Sequence, residues 1–134
     1  MKVALFGTCN GSQWRNDLIP LLNVEYFNPV VEDWTPECQA REIEERANAD
    51  YILYGLTPRM VGVFSIAELI DDSNKQPQKT LFVMLKDKDD NGDPVIFIPS
   101  VQKSMDAVAQ LAMKNGAMQF ASLKDVADYL NEQG

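Results

Sequence analysis

The sequence predicts a doubly wound α/β fold, in which helices cover both faces of one parallel sheet. Short apolar runs that end at turn-forming residues alternate with longer segments whose apolar residues recur at helical spacing. The apolar runs occupy residues 2–6, 24–27, 51–55, 80–85 and 117–120. Regular alternation of strands and helices favours parallel strands joined by right-handed crossovers. We therefore expect one domain over residues 1–134, with a five-stranded sheet in the order 2-1-3-4-5.

Start and stop signals locate the helices between these strands. The segment 13–22 has apolar residues at helical spacing, although Pro20 weakens its end. Thr35 and Pro36 are typical of an N-cap followed by proline at the first helical position. Further helices are predicted over residues 36–48, 65–72, 100–115 and 123–131, and a short strand or an extended lead is predicted over 95–98. This pattern is typical of flavodoxin or Rossmann-like folds.

Composition and charge narrow the functional classes. Hydrophobic residues make up 46% of the chain and charged residues 24%, as in soluble globular proteins, and no apolar run is long enough to cross a bilayer. Met1 leads directly into a strand, so we expect no signal peptide, a cytoplasmic location and no membrane partner. The net charge of −8 argues against binding to a nucleic-acid polymer. It leaves room for a small anionic ligand, because a helix N-terminus binds one locally.

The reactive residue types restrict the chemistry further. Two cysteines, Cys9 and Cys38, are too few for a disulfide scaffold. The lack of histidine in the sequence excludes a histidine base, a Ser-His-Asp triad and a histidine-ligated metal, so acid–base chemistry depends on carboxylates, cysteine, tyrosine or lysine. Residues 87–92 match the first half of an EF-hand calcium loop, but its twelfth position is Ile98, which favours a solvated acidic loop. We expect neither a metal nor a cofactor.

A ligand crevice is expected at the carboxyl ends of the first and third strands, where the strand order reverses. The loops 7–14, 28–34 and 57–65 would meet there. Glu68 lies in the first turns of the next helix, where the positive end of the helix dipole favours an ionised carboxylate. Ser65-Ile-Ala-Glu68 also matches a capping box, in which Glu68 only stabilises the helix start. The position of the helix at the crevice favours a functional carboxylate.

Several short motifs give the chain a family resemblance. Gly62-x-x-Ser65-x-x-Glu68 follows the strand Asp50-Tyr-Ile-Leu-Tyr54, and it is accompanied by Phe27-Asn-Pro-Val30, Asp33-Trp34 and Asn48-Ala-Asp-Tyr-Ile-Leu53. Together they resemble the nucleoside 2-deoxyribosyltransferase family, especially its smaller deoxyribosyltransferase-like branch. The resemblance extends from the first strand through the fourth. The chain departs from the family twice: Gly62 stands where the well-studied members carry aspartate, and Phe64 replaces the usual glycine.

The resemblance implies retaining glycosyl transfer on a nucleoside or nucleotide. Glu68 matches the nucleophile that attacks the anomeric carbon, and Ser65 matches the small residue beside it. The family also uses an acidic residue on the helix before the third strand, for which Glu42 is the nearest match; Asp33 and Glu42 are the candidates for the general acid. Family members often complete their sites across a subunit interface, which implies a homodimer or larger homo-oligomer. Apolar residues that look exposed are consistent with such a contact, namely Met60, Val61, Val63 and Phe64.

The loop after the first strand supplies further binding candidates. Backbone N–H groups at a junction between a strand and a helix suit a phosphate or a sugar hydroxyl, and Arg15 suits pairing with a phosphate. An ordinary turn is the alternative. Trp14 and Trp34 suit stacking on a base, although core packing is the usual role of tryptophan. The predicted binding residues are Gly7, Thr8, Asn10, Gly11, Ser12, Trp14, Arg15, Asn28, Trp34, Gly62 and Ser65.

Two other functions compete with glycosyl transfer. Cys9-x5-Arg15 after the first strand resembles the phosphate loop of low-molecular-weight tyrosine phosphatases, in which a thiolate attacks phosphorus and an arginine holds the oxygens. Asp93-Pro94 resembles the general acid of that family, whereas Asn16 replaces the hydroxyl residue expected after the arginine. The second competitor is a nucleotide-binding domain without catalysis, which the glycine at position 62 favours.

Overall fold

The computed structural model describes residues 1–9 and 11–134 and contains the predicted parallel sheet. The strands are β1 (Lys2–Gly7), β2 (Glu25–Phe27), β3 (Tyr51–Leu56), β4 (Thr80–Met84), β5 (Asp87–Lys88), β6 (Pro94–Val95) and β7 (Met118–Phe120). One sheet is entirely parallel and has the order β2-β1-β3-β4-β7, while β5 and β6 pair as an antiparallel hairpin. Because β7 is the fifth strand of this sheet along the chain, the predicted fold class and strand order are confirmed.

The α-helices are close to their predicted bounds, with one exception. They are α1 (Trp14–Leu18), α2 (Pro36–Asn48), α3 (Phe64–Lys75), α4 (Pro99–Asn115) and α5 (Leu123–Gln133). The exception is the helix predicted over 13–22, whose second half is instead a 3-10 helix, Ile19–Leu21. Pro20 has no N–H for an α-helical hydrogen bond, so the tighter turn replaces the last part of the helix.

Hydrophobic residues are buried on both faces of the sheet. One cluster joins Tyr54 and Phe82 of the central strands to Leu69 of α3 and Met105 of α4. The cluster on the other face joins residues of β1, β3 and β4 to α1 and α5, namely Leu5, Leu53, Val83, Leu18 and Leu130. Successive residues of a strand point to opposite faces, which places neighbours such as residues 53 and 54 in different clusters. Burial on both faces explains why the strands read as continuous apolar runs.

The helix α2 differs from the others because none of its residues is buried. Even Ile43, in the middle of its thin apolar stripe, is 62% exposed. Polar contacts connect the helix to the rest of the domain: Glu45 pairs with Lys2 at 2.8 Å, and Arg46 pairs with Asp72 at 2.8 Å. The position of α2 therefore depends on charged contacts more than on a hydrophobic face.

The hairpin β5–β6 resolves two sequence-based interpretations. Residues 95–98 were predicted to be a short strand or an extended lead into the next helix. A short strand is found at the start of this segment, where Val95 pairs with Asp87. The region that resembles half a calcium loop is a turn, in which Asp89 Oδ1 accepts hydrogen bonds from the backbone N–H groups of Asn91 and Asp93, both at 2.9 Å. Within residues 1–9 and 11–134, no group of three or more acidic or cysteine side chains is arranged to hold a metal ion.

None of the helices in the described part of the chain is both long and apolar enough to span a membrane.

Gly55 packs so tightly that we expect an added methyl group to destabilise the domain. A Cβ atom at this position would overlap the indole ring of Trp14. We expect Gly55→Ala to reduce the free energy of unfolding by about 1–3 kcal/mol, the usual cost of overpacking a core. Urea denaturation measures this effect. Gly62→Ala is the matched control, since no atom lies within 4 Å of its added Cβ; equal effects of the two substitutions would contradict the packing argument.

Candidate functional site

A cleft lies at the carboxyl ends of β1 and β3, where the strand order reverses. Its volume is about 250 Å³. Its walls come from the loop after β1, the start of the loop after β2, α2 and the beginning of α3. The lining residues are Phe6, Gly7, Thr8, Cys9, Arg15, Pro29, Glu42, Gly62, Phe64, Ser65 and Glu68. Seven residues predicted from the sequence are among them: Gly7, Thr8, Arg15, Glu42, Gly62, Ser65 and Glu68.

The start of α3 determines how Glu68 is presented. The helix begins at Phe64, and its N-cap, Val63, makes no side-chain capping bond. Ser65 therefore lies inside the first turn, and Glu68 lies one turn later. The capping-box interpretation of Ser65-x-x-Glu68 is wrong, because a capping box needs the serine at the N-cap. Glu68 is thus available for other interactions.

The Glu68 carboxylate is half-buried in the wall of the cleft. Its side chain is 21% exposed, and Oε2 lies 3.4 Å from Nη1 of Arg46. Burial raises the pKa of Glu68; the charge of Arg46 opposes this effect, whereas the charges of Asp72 and Glu42 add to it. The sequence-based expectation that the helix N-terminus favours ionisation is therefore outweighed. The helix dipole acts mainly on the first turn, and Glu68 lies beyond it.

Glu42 provides a second carboxylate in the same cleft. It projects from α2 and is half-buried. Burial raises the pKa of Glu42, while the positive charge of Arg15 lowers it. The charge of Glu42 also raises the pKa of Glu68, so the two carboxylates influence each other's ionisation. Two such groups in one pocket are suited to divide the roles of nucleophile and acid.

Arg15 is a buried residue that stabilises the end of β1 and the start of the loop after it. It is 3% exposed. Its guanidinium donates hydrogen bonds to three backbone carbonyls, those of Leu5 at 3.0 Å, Thr8 at 2.8 Å and Gly7 at 3.3 Å. Burial lowers the pKa of Arg15, and the nearby Cys9 and Glu42 raise it. The side chain therefore has a structural task in addition to its position at the cleft.

Trp14 lies outside the cleft. It is 3% exposed, packs over Gly55, and donates a hydrogen bond from Nε1 to the carbonyl of Thr8 at 2.9 Å. Trp14 therefore has the usual role of tryptophan, which is core packing, and it is not placed to stack on a base in the cleft.

The other predicted residues that the structure describes do not line the cleft. Gly11 lines a cavity beside the hairpin β5–β6, and the Ser12 hydroxyl hydrogen-bonds with Asp87 of that hairpin. Asn28 lines a neighbouring cavity of about 450 Å³, which shares Pro29 and Glu42 with the cleft. Asp33 and Trp34 are exposed and line neither of these last two cavities. Asn10 lies outside the described residues.

Sequence reasoning missed Arg46, which reaches the site from α2. A signal for it exists, because residues four apart on a helix share a face, and Arg46 is four residues after Glu42. Its acidic partners are on α3 and could not be recognised from local spacing.

Comparison of the chain with protein-family models, with curated proteins and with solved structures returns no significant match.

The raised pKa of Glu68 leads to a prediction about stability. Ionising Glu68 costs stability in the pH window between its ordinary pKa of about 4.3 and its higher pKa in the folded protein. We expect the free energy of unfolding of the wild type to fall relative to that of Glu68→Gln as pH rises through this window, and the difference to level off above it. Urea denaturation across a pH series measures this difference.

Glu132→Gln, measured over the same pH series, is the control. Glu132 is an exposed residue of α5, so this variant shows the effect of replacing a glutamate that is not buried. If the free energy of unfolding of the wild type instead rises relative to that of Glu68→Gln as pH increases, the charge of Arg46 has a larger effect on the pKa of Glu68 than burial has.

Proposed function

We propose that the cleft binds a nucleoside or nucleotide and that Glu68 cleaves its N-glycosidic bond as a nucleophile. The observation that carries the proposal is the pair of half-buried carboxylates, Glu68 and Glu42, on two sides of one cleft. The pKa of each is raised by burial. The motif resemblance to nucleoside 2-deoxyribosyltransferases supports the same assignment, because it independently selects these two residues.

In the first step, the ionised Glu68 attacks the anomeric carbon and forms an ester bond with the sugar. The bond between that carbon and the base nitrogen breaks, and its electron pair leaves with the base. A protonated Glu42 donates a proton to the departing base. Glu42 suits this role better than Asp33, since it lines the cleft and its raised pKa favours the protonated form. Contact with Arg46 favours the ionised form of Glu68.

In the second step, water or an acceptor base attacks the anomeric carbon. Glu42, now ionised, takes a proton from the attacking group, and the ester bond to Glu68 breaks. Attack by water gives net hydrolysis, and attack by a second base gives net transfer. Both outcomes retain the configuration at the anomeric carbon, since two displacements occur.

The phosphatase alternative receives less support from the loop geometry. Its arginine would have to hold phosphate oxygens, but the guanidinium of Arg15 already donates to three carbonyl oxygens of the chain. Moreover, α1 has only five residues, so it contributes little of a helix dipole to an anion.

Release of a free base tests the proposed function. Wild-type protein is incubated with nucleosides and nucleoside 5′-monophosphates, and the base is measured by chromatography. We expect Glu68→Gln to reduce the rate by about a thousandfold or more while the melting temperature stays close to that of the wild type, because glutamine has similar shape but does not attack carbon.

Cys9→Ser is the control for the phosphatase alternative, and we expect it to retain the wild-type rate of base release. Full activity of Glu68→Gln, or loss of activity in Cys9→Ser, would overturn the assignment. Ligand binding without base release would favour a nucleotide-binding domain without catalysis.

We also propose that a second copy of the chain covers the apolar rim of the cleft. The rim residues Val61, Val63 and Phe64 are 83%, 67% and 73% exposed, respectively. Met60, which was also expected to be exposed, is instead half-buried because it packs against the core. Several exposed apolar residues within one short loop are typical of an interface. The motif resemblance implies sites that are completed across a subunit interface, and this loop borders the cleft through Gly62 and Phe64.

Sedimentation equilibrium tests this assembly. We expect the wild type to form a dimer or larger oligomer and Val61→Glu to dissociate it, because a charge at the centre of an apolar contact is costly to bury. Ile96→Glu is the matched control, since Ile96 is 61% exposed but lies beside the hairpin β5–β6. A purely monomeric wild type would refute the proposal.

A further inference from the structure

The guanidinium of Arg46 joins α2 to the acidic side of α3. Its Nε lies 2.8 Å from Asp72 Oδ2, its Nη1 lies 3.4 Å from Glu68 Oε2, and its Nη2 lies 3.5 Å from Asp71 Oδ2. Nη2 also donates a hydrogen bond to the backbone carbonyl of Glu68 at 3.4 Å. One planar group thus contacts both the side chain and the backbone of Glu68.

Asp72 fixes the orientation of this guanidinium. Asp72 is 2% exposed, and it accepts hydrogen bonds from the hydroxyl of the buried Tyr54 and from Nε2 of Gln76. These two hydrogen bonds fix the orientation of the Asp72 carboxylate. Of the three acidic side chains that Arg46 contacts, Asp72 is the one at the shortest distance. A planar guanidinium that is held at Nε has its Nη atoms fixed in direction as well. The chain of contacts runs from Tyr54 through Asp72 and Arg46 to Glu68.

We infer that Arg46 is a positioning residue that keeps the Glu68 carboxylate ionised and directs it into the cleft. The inference rests on the proposed function, since it assigns Arg46 a task in the attack by Glu68. The ion pair with Arg46 is made through Oε2 of Glu68, and Glu68 is at the same time one of the residues that line the cleft.

The charges around Glu68 explain why a cation is needed there. Glu42 on α2 and Asp72 on α3 both raise the pKa of Glu68, as does burial, and Arg46 opposes all three effects. Further titratable or charged groups near this side of the cleft are Tyr54, Asp71, Cys9 and Arg15. Without Arg46, Glu68 would lose its ion pair with α2, while the carboxylates of Glu42 and Asp72 would still raise its pKa.

The test compares Arg46→Met and Arg46→Lys with the wild type by two measurements. The first is a ¹³C NMR titration of the glutamate side chains, in which the Glu68 signal is the one absent from Glu68→Gln. The second is the pH profile of base release. Lys75→Met is the matched control, because Lys75 pairs with Asp71 at 2.9 Å and is 71% exposed.

In Arg46→Met, we expect Glu68 to ionise at higher pH and base release on the acid limb to fall about tenfold, since a contacting cation is lost. Arg46→Lys restores the charge but not the planar fork, so we expect near-wild-type ionisation with a lower kcat at every pH. Lys75→Met should match the wild type in both measurements. A folded Arg46→Met with wild-type ionisation of Glu68, or an equal shift in Lys75→Met, would overturn the inference.

If Arg46→Met fails to fold, a second pair of variants tests whether Arg46 lowers the pH at which Glu68 ionises. Asp72→Asn removes the buried charge that Arg46→Met would leave unpaired, while its amide oxygen still accepts from Tyr54. We expect Glu68 to ionise at higher pH in Arg46→Met/Asp72→Asn than in Asp72→Asn, and equal values would refute the inference.

The NMR titration needs no turnover and therefore separates this inference from the proposed function. If the wild type releases no base, the proposed function fails, while the titration still decides whether Arg46 controls the ionisation of Glu68.

Discussion

The close packing of β1 against β3 at their carboxyl ends determines where the cleft forms. Gly7 pairs with Gly55 in register, and the N–H of Thr8 donates a hydrogen bond to the carbonyl of Gly55 at 2.8 Å. A side chain at Gly7 would overlap the backbone of Gly55, and Gly7 has a φ of 118°, which favours glycine. The N–H of Thr57 then donates a hydrogen bond to the hydroxyl of Thr8 at 3.0 Å, and the cleft lies at this end of the two strands.

The loop after β1 is held by side chains that come from the following helix. Trp14 and Arg15 both donate hydrogen bonds to the carbonyl of Thr8, at 2.9 Å and 2.8 Å. These two bonds hold the carbonyl of Thr8, at the start of the loop, without a bound ligand. The mouth of the cleft is consequently preformed on this side, which reduces the ordering cost of binding.

Much of the fold and part of the site could be predicted because they depend on local pattern and topology. Alternating strand and helix signals sufficed for the parallel sheet, and the reversal of strand order sufficed to place Glu68 at the cleft. Glu42 was selected only through the motif resemblance. The burial of Trp14, the carbonyl contacts of Arg15 and the approach of Arg46 to Glu68 depend on tertiary packing, which local spacing does not encode. The sign of the pKa shift at Glu68 was missed for the same reason: a local dipole argument favours ionisation, whereas burial by distant residues outweighs it.

The polar attachment of α2 has a consequence for the stability of the cleft. Exposed and half-exposed ion pairs weaken with ionic strength, and a helix without buried residues is expected to open before a sheet that is packed on both faces. Opening of α2 would carry Glu42 and Arg46 away from Glu68 together, while the strands stay paired. Loss of the cleft would then be a local event that precedes global denaturation, and it would be reversible as long as the sheet remains intact.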